Sequence, residues 1–406
     1  MPGKAKRAIQ QREAKRAMRI ASYADDRGSC EAAKRSVIMA KRGQGKTSMM
    51  KFTDIIGQES LKHNLQSALL TGRLSHAYLF SGDEGIGKKM LARTVGAALL
   101  CQNPQETDGR IEPCGTCPSC VMVQGDTHPD LRIVQKEKTN YAVDEIREQV
   151  VQDIVLQPMI GEHRVYIIPE ADRMGIPAQN ALLKTLEEPP SYACLMLLSE
   201  RPQALLPTIQ SRTVGMPLKT VPQAKIEQYL MERERIPDYR ARECATLAEG
   251  NVGRAIEYAR SERFAEQVRQ TMKLLTELKE LSTPQIMERL QTLLLAAETE
   301  EAEGAEEKKP KKKGLKDAGD RELARFLDLL ITLTRDALVF KAGAENRLVF
   351  ADGEAYDREM ACLSWEQLYG RIGLIREARE RLSANVNTDL VLELLFLGMR
   401  MEKTYG

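Results

Sequence analysis

Between His76 and Leu99 the chain passes from an apolar strand pattern, HAYLFS, through Gly82-Asp83-Glu84-Gly85-Ile86-Gly87-Lys88-Lys89 into a helical pattern. The apolar side of that helix is formed by Met90, Leu91, Val95, Ala98 and Leu99. A G-x-x-x-x-G-K run between a strand and a helix is a P-loop, which calls for a parallel sheet flanked by helices. The glycines let backbone N–H groups turn inward around phosphates, and the helix N-terminus adds partial positive charge. Gly82, Gly85, Gly87, Lys88 and Lys89 are therefore the candidate nucleotide-binding residues, with Lys88 placed to reach the outer phosphates. The residue after this lysine ordinarily carries a hydroxyl that binds Mg²⁺. Here it is Lys89.

A second segment loses the same ion. In RVYIIPEADRM, Arg164–Met174, the apolar run Val165–Ile168 reads as a buried parallel strand. Such a strand in a P-loop ATPase ends in an Asp that helps hold Mg²⁺. Pro169 occupies that position and has no side-chain oxygen, although Glu170 and Asp172 follow. Two losses on one ion predict a site that no longer hydrolyses ATP. The cradle and Lys88 leave ATP as a weak or absent ligand; the bland reading is a Gly-rich turn with no ligand. The upstream run Gly43-Gln44-Gly45-Lys46-Thr47 has a P-loop tail, but Ala40 stands where its first glycine belongs, and no amphipathic helix follows. It reads as chance.

Four of the eight cysteines fall as Cys101-x12-Cys114-x2-Cys117-x2-Cys120. Thiolates so spaced can surround a tetrahedral Zn²⁺, with Gly115 and Pro118 shaping the short knuckles. The intervening QNPQETDGRIEP is polar and turn-rich, so metal binding would supply stability that apolar burial cannot. Four thiolates leave no open position, so the zinc is read as structural. Free thiols, a disulfide pair and an iron–sulfur cluster are the competing readings. Cys30, Cys194, Cys244 and Cys362 are scattered, and Cys194, in an apolar strand, reads as a small core residue.

The net charge of +2 hides an uneven distribution. Residues 1–50 carry 13 Lys+Arg against 4 Asp+Glu, leaving 47 against 54 in the rest. The body is thus mildly acidic, which weakens a global electrostatic case for nucleic-acid binding. Residues 1–49 read as a basic, disordered leader or a mis-assigned start. No apolar run is long enough for a membrane span, and no signal peptide is evident, so a cytoplasmic protein is expected. A charged linker is expected over 298–318, acidic first (ETEEAEGAEE) and basic second (KKPKKK). The Leu-rich patterns on either side make the C-terminal third all-helical.

The motifs taken together resemble bacterial clamp-loader subunits of the AAA+ class. They are FTDIIGQ at Phe52–Gln58, HAYLFSGDEGIGKK at His76–Lys89, the four-cysteine module, HPDL at His128–Leu131, RVYIIPEADRM, NALLKTLEEPP at Asn180–Pro190, LLPTIQSRT at Leu205–Thr213 and GNVGRA at Gly250–Ala255. They cover about residues 50–260 in the family's order. The double loss of metal ligands is similar to the delta-prime branch of DNA polymerase III rather than to the ATP-hydrolysing gamma/tau branch. The resemblance implies an α/β P-loop domain over 50–217 with the zinc module at 101–120 inserted, a helical lid over 218–262 and a helical collar over 263–406. It implies no intrinsic ATPase activity but membership of a DNA polymerase III assembly. The partners would be gamma/tau and delta subunits in a hetero-oligomer, with a sliding clamp and primed DNA met through the complex.

Carried over residue by residue, the resemblance puts Ser199 at sensor 1, although Glu200-Arg201 departs from the family's Thr-rich pattern, and Arg254 at sensor 2. Ile55-Ile56-Gly57 corresponds to a segment near the adenine. Arg212, in Ser211-Arg212-Thr213, would be an arginine finger facing a neighbouring subunit's ATP; the bland reading is a surface ion pair. The segment Leu382–Leu395 resembles the final collar helix. Two other functions compete. One is an ATP-hydrolysing motor subunit using Glu170 or Asp172 for Mg²⁺. The other is a zinc-dependent nucleic-acid-binding module built on the cysteine knuckle and the basic leader.

Overall fold

A computed structural model describes residues 51–107, 109–295, 319–350, 353–384 and 386–401. The basic leader with its GQGKT run, Cys30 and the charged linker lie outside the described residues. The described chain forms two compact units, divided between Val221 and Pro222.

The first unit opens with helix α1 (Glu59–Thr71), followed by strand β1 (Ala77–Ser81) and helix α2 (Lys88–Leu100). A short hairpin, β2 (Gln105–Thr107) and β3 (Arg110–Glu112), precedes helix α3 (Pro118–Gln124). Strands β4 (Leu131–Ile133) and β5 (Arg164–Ile168), helix α4 (Ile176–Glu187), and strands β6 (Ala193–Ser199) and β7 (Val214–Pro217) complete it. The main sheet has five strands in the order β4-β5-β6-β1-β7, and every pairing is parallel. This is the sheet the P-loop context predicts.

Helices cover both faces, and strand alternation sorts side chains between them. From β6, Cys194, Met196 and Leu198 join Tyr78, Phe80, Val165 and Ile167 against α1 and α2. Ala193, Leu195 and Leu197 join Leu79, Tyr166 and Ile168 against Ala178, Leu182 and Leu186 of α4. β5 and β6 lie between two cores and are buried along their whole length, which is why their sequences read as continuous apolar runs. Cys194 is buried there, as a small core residue. Helix α4 runs from Ile176 to Glu187, beginning four residues before the NALLKTLEEPP motif and stopping where Pro189-Pro190 cannot continue it.

The HPDL motif has a structural explanation. Asp130, fully buried, accepts the backbone N–H groups of Met159 (2.6 Å), Ile160 (2.8 Å) and Gly161 (3.0 Å). It fixes the turn that leads into β5 and hence the position of Pro169 at the strand's far end.

Among the described residues the second unit holds helices and no strand. They are α5 (Gln223–Glu232), α6 (Asp238–Leu247), α7 (Val252–Arg260), α8 (Glu262–Thr276), α9 (Thr283–Leu295), α10 (Asp320–Lys341), α11 (Glu354–Met360), α12 (Trp365–Ser383) and α13 (Thr388–Arg400). Asn387 caps α13 through its side chain, and Leu390 and Leu394 remain on an exposed stripe of that helix. No described helix is long and apolar enough to cross a membrane.

Candidate functional site: a P-loop without cation ligands, an exposed arginine and a four-cysteine cluster

The loop between β1 and α2 has P-loop geometry. Gly82, Gly85 and Gly87 have φ values of 143°, 81° and 106°, which side chains disfavour. A Cβ on Gly82 would also stand 3.1 Å from the carbonyl oxygen of Leu218. The Lys88 ammonium turns onto its own loop, donating to the carbonyls of Gly82 (2.5 Å) and Asp83 (2.9 Å). Burial draws the Lys88 pKa below its ordinary value, opposed by the carboxylates of Glu200, Asp172, Asp83 and Glu84. An acidic rim thus surrounds the one lysine meant for phosphate. Lys89 projects from the start of α2 into solvent.

The cation side of the pocket is committed elsewhere. Pro169 ends β5, and its carbonyl accepts the Tyr141 hydroxyl at 2.7 Å. Glu170 sits in the left-handed region at φ 44° and pairs with Lys136 at 2.7 Å. Asp172 accepts the backbone N–H of Glu200 at 3.1 Å and lies 3.7 Å from Arg201. Either carboxylate that a motor reading could use for Mg²⁺, Glu170 or Asp172, is therefore engaged with the protein's own cations and backbone.

Ser199 is paired in register with Ser81, at the mouth of the P-loop. Its carbonyl accepts the Gly82 N–H at 3.2 Å. Its hydroxyl is fully buried and finds no partner among the described residues. Burial raises the pKa of the neighbouring Glu200 carboxyl, an effect Lys88 opposes.

Arg212 follows the one-turn helix Pro207–Gln210 and stands at the surface with 35% of its side chain exposed. Its guanidinium reaches Glu187 at 2.8 Å and the Thr208 carbonyl at 3.2 Å. Arg254 lies in the first turn of α7, where its backbone N–H donates to the Asn251 side chain at 3.1 Å. It belongs to the second unit.

The four cysteines converge. Their sulfurs all lie within 4.8 Å of one another, with Cys101–Cys117 and Cys114–Cys120 each at 3.9 Å. Four ligands about 2.3 Å from a tetrahedral Zn²⁺ stand roughly 3.8 Å apart; two of the sulfur pairs have that spacing and all lie within 4.8 Å, so the cluster is consistent with a metal site. None of the four is joined in a disulfide, and the two pairs at 3.9 Å stand far beyond an S–S bond. Backbone N–H groups of Cys114, Cys117 and Cys120 point at the sulfurs of Cys101, Cys114 and Cys117 (3.3–3.4 Å), an arrangement that favours thiolate. The Cys101 pKa is drawn down to about 5, chiefly by the thiol of Cys120 donating to it. Cys101 ends α2 and Cys117 caps α3, while Gly115 takes the left-handed conformation between them at φ 75°.

These features define a P-loop α/β protein with Lys89 and Pro169 at the usual cation-ligand positions and an embedded four-cysteine module. Residues 57–222 match the family described as DNA polymerase III, delta subunit. The DNA polymerase III subunit delta' of Bacillus subtilis is 31% identical over 335 residues, 82% of this chain and 93% of that protein. The delta' subunit of Pseudomonas aeruginosa is 40% identical over 142 residues, 34% of this chain and 42% of that one. The tau/gamma subunit of Haemophilus influenzae is 35% identical over 203 residues, 49% of this chain but 28% of that protein. The chain belongs to the family of DNA polymerase III delta' subunits.

Sequence reasoning missed several residues around the site. Glu187, the partner of Arg212, carried no signal beyond its place in LEEPP. Glu200 was seen only as a departure from a pattern, and its carboxylate proves to be part of the rim facing Lys88. The Cys101–Cys114 stretch was read as a loop, yet it holds the β2–β3 hairpin, with Ile111 buried.

Proposed function

We propose that this protein is a stator of the replicative clamp loader, a delta'-type subunit that supports ATP-driven loading of a sliding clamp onto primed DNA. The observation that carries the reading is the disabled cation pocket. Pro169 and Lys89 replace its ligands, and Glu170 and Asp172 are held by Lys136 and by the Glu200 N–H. A subunit so built lends catalysis instead of performing it. Arg212 is the group it lends: a guanidinium offered in trans to a gamma/tau-type neighbour stabilises charge on the transferring phosphoryl group, worth roughly 10³–10⁵ in rate. Ser199 is the sensor 1 position toward any nucleotide in this chain's own P-loop, and Arg254 takes the sensor 2 place in the family's motif order. The remaining partners in this reading are a delta subunit, the clamp and primed DNA.

The cysteine cluster is assigned to one structural Zn²⁺. Cys101, Cys114, Cys117 and Cys120 would hold it, and its contribution is to fold the polar insertion. The four-sulfur geometry supports this, and a donor set filled by protein leaves no position for chemistry.

The test is a reconstituted loader. Arg212→Ala is expected to depress DNA-stimulated ATP turnover by at least about 10²-fold per affected site, while the isolated chain turns over no ATP with or without the substitution. An unchanged rate in the assembled Arg212→Ala loader removes the finger. Magnesium-dependent turnover by the isolated chain restores the motor reading.

A further inference from the structure

Arg212 is parked. Its Nη2 lies 2.8 Å from Oε1 of Glu187, and its Nη1 lies 3.2 Å from the carbonyl oxygen of Thr208. Glu187 is the last residue of α4, where unsatisfied carbonyls give the helix end a partial negative charge. A carboxylate there is poorly placed by its own helix and gains from a cation. The guanidinium thus rests among three acceptors of its own chain, the third being the Ser211 hydroxyl oxygen at 3.5 Å from Nη1, and the Glu187 carboxylate is the charged one. Glu187 is 49% exposed and Arg212 35% exposed, so solvent, and anything brought through it, reaches both.

We propose that Glu187 is a displaceable counter-ion that regulates the finger, an inference that rests on the trans role of Arg212. While the carboxylate is bound, the net charge of the pair is near zero and little positive charge is offered to a neighbour. A polyphosphate chain in the adjoining subunit carries several negative charges and competes for the same N–H donors with bidentate geometry. The Thr208 carbonyl is neutral and need not be given up, so it keeps the guanidinium aimed while the carboxylate is exchanged for phosphate. A half-exposed pair of this kind is weak in salt-containing water. That weakness suits the role, because a strongly held arginine could not be delivered. Glu187 touches no substrate and acts only through Arg212, so it is a positioning residue. It biases the finger toward neighbours whose nucleotide is in place and restrains it otherwise.

The experiment compares wild type, Glu187→Gln, Arg212→Ala and the double variant in the reconstituted loader. ATP turnover is measured with and without primed DNA at low and high salt. Glu187→Gln removes the charge and keeps an acceptor. Basal turnover without DNA is expected to rise about 1.5- to 5-fold at low salt, the range such an ion pair carries, and to return to the wild-type rate at high salt. The DNA-stimulated maximum is expected to stay the same, and the double variant to match Arg212→Ala. A fall in both rates on Glu187→Gln, or no change at low salt, overturns the proposal while leaving the finger intact. If Arg212→Ala alone changes nothing, the finger reading fails, and that outcome is read independently of Glu187. A melting temperature for Glu187→Gln equal to wild type ties the rate change to the released arginine; a large drop assigns Glu187 to structure and overturns the proposal.

Discussion

Oε2 of Glu112 lies 2.7 Å from the backbone nitrogen of Phe52. The same carboxylate accepts the Thr53 N–H at 3.2 Å, and Gln66 of α1 donates to it at 3.3 Å and to the Ile111 carbonyl at 3.0 Å. The hairpin inside the cysteine module is therefore fastened to the segment that leads into α1. Phe52 and Ile55 follow directly into the core beneath the P-loop helix. Burial raises the Glu112 carboxyl, while the Phe52 and Thr53 N–H groups pull it back down. Glu112→Ala leaves those donors without their acceptor and is expected to cost about 1–3 kcal/mol. Chemical denaturation measures the loss, and hydrogen exchange should speed up first at Phe52–Ile55. Unchanged protection there means the carboxylate is not the fastening.

Metal removal should reach the same segment. One zinc per chain is expected by elemental analysis of the native protein. Cys101→Ser should lose it and release the β2–β3 hairpin. Because Glu112 is carried on that hairpin, exchange at Phe52 and Thr53 should rise in the metal-free protein. Metal loss with no change at Phe52 would show that the hairpin folds without the ion.

How much of this was legible depended on whether the physics was local. The central strands were readable because β5 and β6 are buried on both faces and spell unbroken apolar runs, whereas β4, three residues long, and the largely exposed β7 left no such signal. The four cysteines were readable because tetrahedral ligation by short knuckles imposes a spacing on the chain. Pro169 and Lys89 were readable as missing oxygens at fixed offsets. Glu187, Glu112 and Glu200 were not, since each acts on residues distant in sequence. Nothing around Glu112 points to Phe52, 60 positions away. The hairpin was hidden because Ile111 is its one buried apolar residue.

Restoring the cation ligands tests directly the proposal that the pocket no longer grips Mg²⁺. Lys89→Thr with Pro169→Asp supplies the two oxygens the loop and strand lack. Magnesium-dependent nucleotide affinity is expected to rise at least tenfold, about 1.4 kcal/mol. A further gain is expected on adding Glu200→Gln, which removes one charge from the rim around Lys88. If the ligand pair alone does nothing and Glu200→Gln alone restores binding, the rim rather than the missing ligands closes the site.

Asp130 offers a sharper stability test than any surface charge. Its carboxylate alone serves three consecutive backbone donors, Met159 to Gly161, within a fully buried site. Asp130→Ala strands all three and is expected to cost roughly 3–5 kcal/mol, comparable to breaking a buried charged interaction. Asp130→Asn keeps one oxygen and should cost clearly less. Equal losses for the two would mean that the charge, not the acceptor count, holds the turn before β5.

The second unit contains a buried acidic pair whose titration sets a sign. Asp357 on α11 is 1% exposed, and neither carboxylate oxygen has a partner among the described residues. Burial, with Asp336 nearby, pushes its pKa up to about 7 from an ordinary 3.8. Asp336 itself accepts the Val349 and Phe350 N–H groups and pairs with Arg335, so it takes the fixed, hydrogen-bonded role. The folded state keeps the Asp357 proton at pH values where the unfolded chain has released it. Stability should therefore fall as pH rises from about 4 to about 7 and level off above that. Asp357→Asn carries no charge to lose, so its stability should decline less over the same interval and exceed wild type above pH 7. Urea denaturation followed by the fluorescence of Trp365, the only tryptophan in the chain, reports on this unit. Parallel pH profiles for the two proteins would show that Asp357 is ionised in the folded state throughout.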